Sequence, residues 1–465
     1  MKELVTIDVG HLINDAGSSH FISTSEFEAL SSKYGAAFDS FLSPLREMSS
    51  PMTLSLHERE KIPYIKELAA LLKDKFENIL LIGIGGSSLG PQAMMQFLKG
   101  PFYNVEQHTR PRFFVADNID PLLVHHLEKV LDFSKTGIVY ISKSGSTPES
   151  AANFIHFYGR YKEAGGSPQD IVIICDQADN GINRIAKELN CHLLHIPSKL
   201  GGRYSVLSSV GFLPAELMDI DSLELLNGAA QVHQALVNVE LADNAVFALG
   251  ACLHELSMRG KNLHVMFNYS SMLTEFGQWF MQLWAESLGK LHSLSGEVVH
   301  SGTTPLACTG AIDQHSVLQM FKEGPADKVY GFIKIENMMV DTVLTDQFSS
   351  EKEYAYFKGH TVKEQLHLEQ LTTEMSLYKA ERPCYRVSVR DVSPAAIGGL
   401  FYLYEALTVW TAELMKIDPY DQPGVEEGKN MTYSLMGRSD HAARKPEYEQ
   451  AARDYMAKSR VYKIG

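Results

Sequence analysis

Residues 78–91, NILLIGIGGSSLGP, open with an apolar run and pass through Gly83, Gly85, Gly86, Ser87 and Ser88 before the amphipathic stretch PQAMMQFLKG (91–100). An apolar strand, a tight loop and a helix in that order form a β-loop-α unit. The theme recurs in RFFVADN (112–118), GIVYISKSGSTPES (137–150) and DIVIICD (170–176), each a short apolar run ending in small or polar residues. Continuous apolar strands alternating with helical segments predict a mostly parallel sheet covered on both faces. A second series starts at KNLHVMFNYSSM (261–272) and continues through GFIKIEN (331–337) and CYRVSVRDVSP (384–394). Two tandem α/β sandwiches are the simplest account. The expected division is a helical lead-in over 1–50, one α/β domain over 51–218, a second over 219–418, and a motif-bearing loop with a terminal helix over 419–465.

Length and composition agree with that division. A chain of 465 residues exceeds the roughly 250 to 300 residues at which single cores stop growing. Hydrophobic residues make up 45% and charged residues 21%, an ordinary globular balance. The formal net charge of -14 argues against nucleic acid or an anionic membrane as partner, since both demand a basic surface. The most apolar run, IGGLFYLYEALTVW (397–410), is interrupted by Glu405 and is shorter than the roughly 20 residues of a membrane span. Five scattered cysteines, Cys175, Cys191, Cys252, Cys308 and Cys384, fit neither a disulfide framework nor a zinc ribbon, which places the protein in a reducing cytoplasm.

Two loops are candidates for anion binding. The glycines of GIGGSS let backbone amides, including that of Gly86, approach an anion at a helix N-terminus, where unpaired N–H groups and the helix dipole favour negative charge. A dinucleotide site would want Gly or Ala in place of Ser88, although Asp117 at the end of the next strand imitates a ribose-binding acid. A plain tight turn is the third reading. In SKSGSTPES, Ser142, Ser144, Ser146 and Thr147 converge where a helix begins, and hydroxyls with backbone amides suit a phosphate monoester. Capping competes as an explanation: Thr147 as N-cap, Pro148 at the first helical position and Glu149 in the first turn need no ligand. Ser142 and Ser144 lie outside that explanation.

In SSMLTEFGQWFMQLWAESLGK (270–290), Met272, Phe276, Trp279, Leu283 and Glu286 follow a helical spacing, so Glu286 continues a core-facing stripe. A carboxylate there is expected to be desolvated, with its pKa raised toward the range of a working general base. Gln282, one turn earlier, is placed to hold it or a substrate. The alternative is that the helix ends near Gly289 and Glu286 emerges into water beside Lys290.

Five segments in this order carry a family resemblance: GIGGSSLGP, SKSGSTPES, SKLGGRYSVLSSVGFLP (198–214), QLWAESLGK (282–290) and YDQPGVEEGK (420–429). SKLGGRYS resembles a GGR[FY]S signature, YDQPGVEEGK a DQxGVExxK signature, and QLWAESLGK an ES-x-GK helix end. Together they are similar to the phosphoglucose isomerases, of the shorter bacterial sort, over nearly the whole chain. The resemblance implies two sugar-isomerase (SIS) type three-layer αβα sandwiches and a homodimer whose active sites share groups across the interface. It implies an aldose–ketose isomerase of glycolysis and gluconeogenesis that needs no cofactor and converts D-glucose 6-phosphate to D-fructose 6-phosphate through ring opening and a cis-enediolate.

Carried over residue by residue, the resemblance gives Ser87, Ser142, Lys143, Ser144 and Thr147 as phosphate contacts, with Gly86 in the same loop, and Gln282 as a substrate contact. Glu286 becomes the base between C2 and C1 and Arg203 the stabiliser of the enediolate. His315, in AIDQHSVLQMF (311–321), becomes the ring-opening acid/base, supplied by the neighbouring subunit, and Lys429 its helper. Gly202 and Glu149 stand behind these groups. The chain departs from many relatives in Ser144, Gly145, Ser146 and Pro148, which leaves mannose 6-phosphate open as a further substrate. The other histidines lack partners at ligand spacing, so no metal site is expected. Two rivals remain: a broader-specificity isomerase on the same fold and a regulatory module that binds sugar phosphates without turnover.

Overall fold

The structure is a computed structural model that describes residues 3–15, 17–106 and 110–465. Strand β1 (Val5–Asp8) precedes helices α1 (Thr24–Arg46) and α2 (Ile62–Lys75). Strands and helices then alternate as β2 (Asn78–Ile82), α3 (Leu89–Lys99), β3 (Arg112–Ala116), α4 (Pro121–Val130), β4 (Thr136–Ile141), α5 (Pro148–Glu163), β5 (Val172–Cys175), α6 (Gly181–Leu189) and β6 (His192–His195). Helices α7 (Ser209–Leu217), α8 (Ser222–Asn238) and α9 (Ala245–Met258) lead to the second alternating series. It comprises β7 (Leu263–Asn268), α10 (Thr274–Leu288), β8 (Thr304–Thr309), α11 (Leu318–Glu323), β9 (Lys328–Asn337), α12 (Lys352–Ala355), α13 (Val362–Lys379), β10 (Cys384–Asp391) and α14 (Pro394–Met415). These elements form one compact unit ending at Tyr420, and Asp421–Gly465, with α15 (Glu426–Leu435) and α16 (Lys445–Ala457), form another.

The first sheet has the order β3-β2-β4-β5-β6 and every pair in it is parallel. All residues of β2 and β4 are buried, as a sheet covered on both faces requires. The second sheet has the order β1-β10-β9-β7-β8 and is parallel except for β1, which runs antiparallel along β10. The lead-in therefore supplies an edge strand as well as helix. Its four residues alternate between half-buried and exposed, too short and weak a pattern to announce a strand.

The apolar run 397–410 lies within α14, which is buried almost all round and packs on α8, α9 and α10. A helix apolar on every face is a core helix in this setting, and none of the described helices is long and apolar enough to cross a membrane. Ser393 caps α14 by accepting from Ala396 N, and Pro394 occupies its first turn. In the first sheet, β2 connects through α3 to β3 on one side, whereas β4 connects through α5 to β5 on the other. The loops after β2 and β4 thus diverge at a topological switch point, where α/β sheets open a crevice.

Candidate active site

Both candidate anion loops lie at that switch point. After β2, Gly85 adopts φ +58 and a Cβ there would lie 2.7 Å from Gln282 Nε2, so only glycine fits the turn comfortably. A Cβ on Gly86 would lie 2.2 Å from Gly202 O and 2.7 Å from Arg203 N. Three segments far apart in sequence therefore meet: GIGGSS and GGRYS with their backbones in near contact, and α10 through the Gln282 side chain. Ser87 is half-buried in the same turn, and Ser88 Oγ donates to Gly85 O. Asp117, the acid a nucleotide site would use, accepts from Gln92 Nε2 at 3.1 Å.

After β4, Ser142 is buried and its Oγ has no hydrogen-bond partner of good geometry among the described residues. Thr147 stands at the N-cap of α5, but its side chain makes no capping bond. The capping account of this loop therefore leaves its hydroxyl unused. Ser144 is exposed and accepts from Ser146 N and Ser146 Oγ at 3.3 and 3.2 Å. Glu149 is half-buried in the first turn of α5. Lys143 is half-buried, and desolvation pulls its ammonium pKa down; the Asp176 carboxylate opposes that shift and the positive charge of Arg203 adds to it. Lys143 and Arg203 thus lie within electrostatic range, which links the hydroxyl loop to the GGR turn.

Arg203 is almost wholly buried, its side chain 2% exposed, while Glu286 beside it is 32% exposed. Nη1 of Arg203 donates to Glu286 Oε2 at 3.3 Å, Nε donates to Ser287 Oγ at 2.7 Å, and Nη2 donates to the Pro419 carbonyl at 2.5 Å. Gln282 Nε2 donates to Glu286 Oε1 at 3.1 Å, and Gln282 Oε1 is buried without a partner among the described residues. Each Glu286 oxygen thus faces a donor.

Of the two readings of Glu286 from sequence, a desolvated core carboxylate or one emerging into water at the helix end, the structure favours the second. Phe276, Trp279 and Leu283 are buried as the stripe predicts, yet Glu286 itself keeps a third of its side chain in water. The helix ends two residues later, at Leu288, and Lys290 turns back to donate to Glu286 O at 2.7 Å. Periodicity identifies a face but not the point at which that face leaves the core. The carboxylate is held by hydrogen bonds from two named donors rather than by full desolvation.

Two sequence candidates remain. His315 is exposed in a short 3-10 turn after β8, and no hydrogen bond or ion pair joins it to Glu286 or Arg203. Lys429 belongs to the second unit, in α15, where its ammonium pairs with Glu426 at 2.8 Å. Ser287, Tyr204 and the Pro419 carbonyl are not singled out by the sequence reading, although the first two sit next to Glu286 and Arg203 in the quoted motifs; polar residues flanking a candidate acid and cation are the signal that points to them. Among the described residues no group of three His, Cys, Asp or Glu side chains is arranged to hold a metal, and all five cysteines are free thiols. An apolar groove of about 380 Å³ along β1 contains none of the site residues.

A family profile described as phosphoglucose isomerase matches residues 69–455. A glucose-6-phosphate isomerase of Carboxydothermus hydrogenoformans is 36% identical over 425 residues, 89% of this chain and 91% of the relative. One of Rubrobacter xylanophilus is 35% identical over 447 residues, 94% of this chain and 99% of the relative. Among solved structures, a hypothetical protein of Thermus thermophilus superposes with a TM-score of 0.80 at 28% identity, covering 93% of this chain and all of that one. A glucose-6-phosphate isomerase of Chlamydia trachomatis, 21% identical, shares the fold with a TM-score of 0.82 over 99% of this chain and 93% of its own. Matched along most of its length by the family profile and by relatives of this kind, the chain belongs to the phosphoglucose isomerase family.

Proposed function

We propose that the chain interconverts D-glucose 6-phosphate and D-fructose 6-phosphate, with Glu286 as the proton carrier and Arg203 as the fixed cation. The observation that carries this reading is the pairing of a partly exposed carboxylate with a buried guanidinium 3.3 Å away, together with a loop whose buried Ser142 hydroxyl has no hydrogen-bond partner of good geometry among the described residues. Relatives spanning the chain bear the name of this activity.

In the proposed reaction the phosphate is held by Ser142, Ser144, Thr147, Lys143 and Ser87, with backbone amides at the start of α5 and around Gly86. Hydroxyls and amides suit a dianion in a protein of net charge -14, since they bind locally without a basic field. Ring opening moves one proton from the anomeric hydroxyl and delivers one to the ring oxygen, the task assigned to His315 with Lys429. Glu286 then removes the proton at C2 and the C1 carbonyl oxygen gains the negative charge; the C2 hydroxyl proton passes to that oxygen, and the protonated Glu286 delivers its hydrogen to C1 as the C2 carbonyl forms. Arg203 remains cationic throughout and strengthens its interaction as charge grows on oxygen. Gln282 orients the carboxylate between these steps.

His315 is assigned to the active site of a second copy of the chain. Exposed apolar residues lie near it in the chain, Ile312 at 67% and Met320 at 57%, which supports a homodimer that covers them. A cytoplasmic location fits the five free thiols. The test is a coupled assay of purified protein with fructose 6-phosphate. Steady formation of glucose 6-phosphate is expected, and absence of turnover by correctly folded protein refutes the assignment.

A further inference from the structure

Arg203 is gripped from behind by a closed ring of hydrogen bonds. Its Nε donates to Ser287 Oγ at 2.7 Å, Ser287 Oγ lies 2.9 Å from Tyr204 OH, Tyr204 OH lies 3.4 Å from the Pro419 carbonyl, and that carbonyl accepts Arg203 Nη2 at 2.5 Å. The donors can be assigned around the ring without conflict. Arginine only donates, so Ser287 Oγ accepts from Nε and is free to give its own proton to Tyr204, which gives its proton to Pro419 O. Ser287 and Tyr204 are fully buried, so no water substitutes for either hydroxyl. The Arg203 carbon Cζ also lies 5.5 Å from the Tyr204 ring centroid, and Tyr204 packs on Tyr420 with ring centroids 5.2 Å apart.

Two edges of the guanidinium are thereby fixed, and Nη1 is the edge that reaches Glu286. A long side chain otherwise loses rotamer freedom each time it acts. A cation already locked in place stabilises developing charge without reorganising. We infer that Ser287 and Tyr204 are positioning residues that hold Arg203 in register with the reacting oxygen. The inference rests on the isomerase reading of Arg203.

The experiment compares Ser287→Ala and Tyr204→Phe with wild type in steady-state isomerisation, alongside the affinity of each protein for inorganic phosphate and its thermal unfolding. Wild-type turnover is measured first, because its absence would defeat the isomerase reading before this inference is reached. A cation free to wander by about an ångström loses on the order of 100-fold in rate. Ser287→Ala, which strands Nε, is therefore expected to lose about that much kcat with little change in KM or phosphate affinity. Tyr204→Phe, which leaves both direct bonds to Arg203 in place, is expected to lose less, about 3- to 10-fold. Tyr204→Phe keeps the ring and its packing, so it carries the test if Ser287→Ala fails to fold. Wild-type kcat in the folded variants, or a parallel loss of kcat and phosphate affinity, overturns the inference.

Discussion

Replacing Gly86 with alanine places a methyl carbon 2.2 Å from the Gly202 carbonyl oxygen and 2.7 Å from Arg203 N. Both obstacles are backbone, so no rotamer change relieves them. Reaching even a tight 3.0 Å contact requires the two turns to separate by roughly 0.8 Å. That displacement falls between the glycine-rich loop after β2 and the residue bearing the guanidinium. A misplacement of about 1 Å costs on the order of 100-fold in rate, and forcing extra volume into a packed site costs about 1 to 3 kcal/mol of stability. Glycine is not needed at this position for its backbone angle, since only Gly85 in this turn has positive φ. Gly86→Ala should therefore lower kcat/KM about 100-fold and lower the unfolding midpoint in urea, with the same m-value. The coupled isomerase assay and a urea titration followed by circular dichroism measure both. Wild-type kcat/KM together with wild-type stability would refute the claim that the two turns must touch for the site to form.

Three further outcomes follow from the same geometry. Ser142→Ala removes a buried hydroxyl that has no well-formed partner within the protein, so stability should be unchanged or slightly higher, while KM rises about 10-fold through loss of one hydrogen bond to a charged phosphate; an unchanged KM would place the phosphate elsewhere. Glu405 is fully buried in α14 with neither carboxylate oxygen partnered among the described residues, and burial pushes its pKa well above the ordinary value. The folded chain keeps this proton and the unfolded chain releases it above pH ~4.3, so the stability tied to it is full below that pH and drains above it by about 1.4 kcal/mol per pH unit until the folded group ionises. Glu405→Gln has no such dependence, and its stability relative to wild type should increase from pH 5 to pH 8; parallel urea curves across that range would contradict this. If His315 serves the partner's site, mixing and reassembling chains of Glu286→Gln with chains of His315→Ala should restore activity that neither shows alone, and no restoration would argue for a site complete within one chain.

Much of this architecture is legible in the sequence because parallel strands are continuous apolar runs and their loops are rich in Gly and Ser. NILLI and TGIVYI announce β2 and β4, and the polar residues that follow them land at the switch point. Strand β1 escapes such reading, since VTID pairs with a strand near the other end of the chain, Val5 beside Val389, and carries little local pattern. The hydroxyls of SKSGSTPES could be recognised as capable of capping or of binding, but only coordinates reveal that Thr147 does not cap. Apart from its neighbour Tyr204, the surroundings of Arg203 are tertiary: Ser287 and Pro419 are distant in the chain, and the exposure of Glu286 depends on where α10 ends.

The central claim is that Glu286 moves hydrogen between adjacent carbons of the sugar, and isomerisation in deuterium oxide tests it most directly. In the wild type, proton exchange at the carboxylate competes with return to carbon, so product should carry solvent deuterium at C1 or C2. Glu286→Gln should bind inorganic phosphate as the wild type does, yet lose both turnover and deuterium incorporation by about 10² to 10⁴. Incorporation by Glu286→Gln at the wild-type rate would contradict the account.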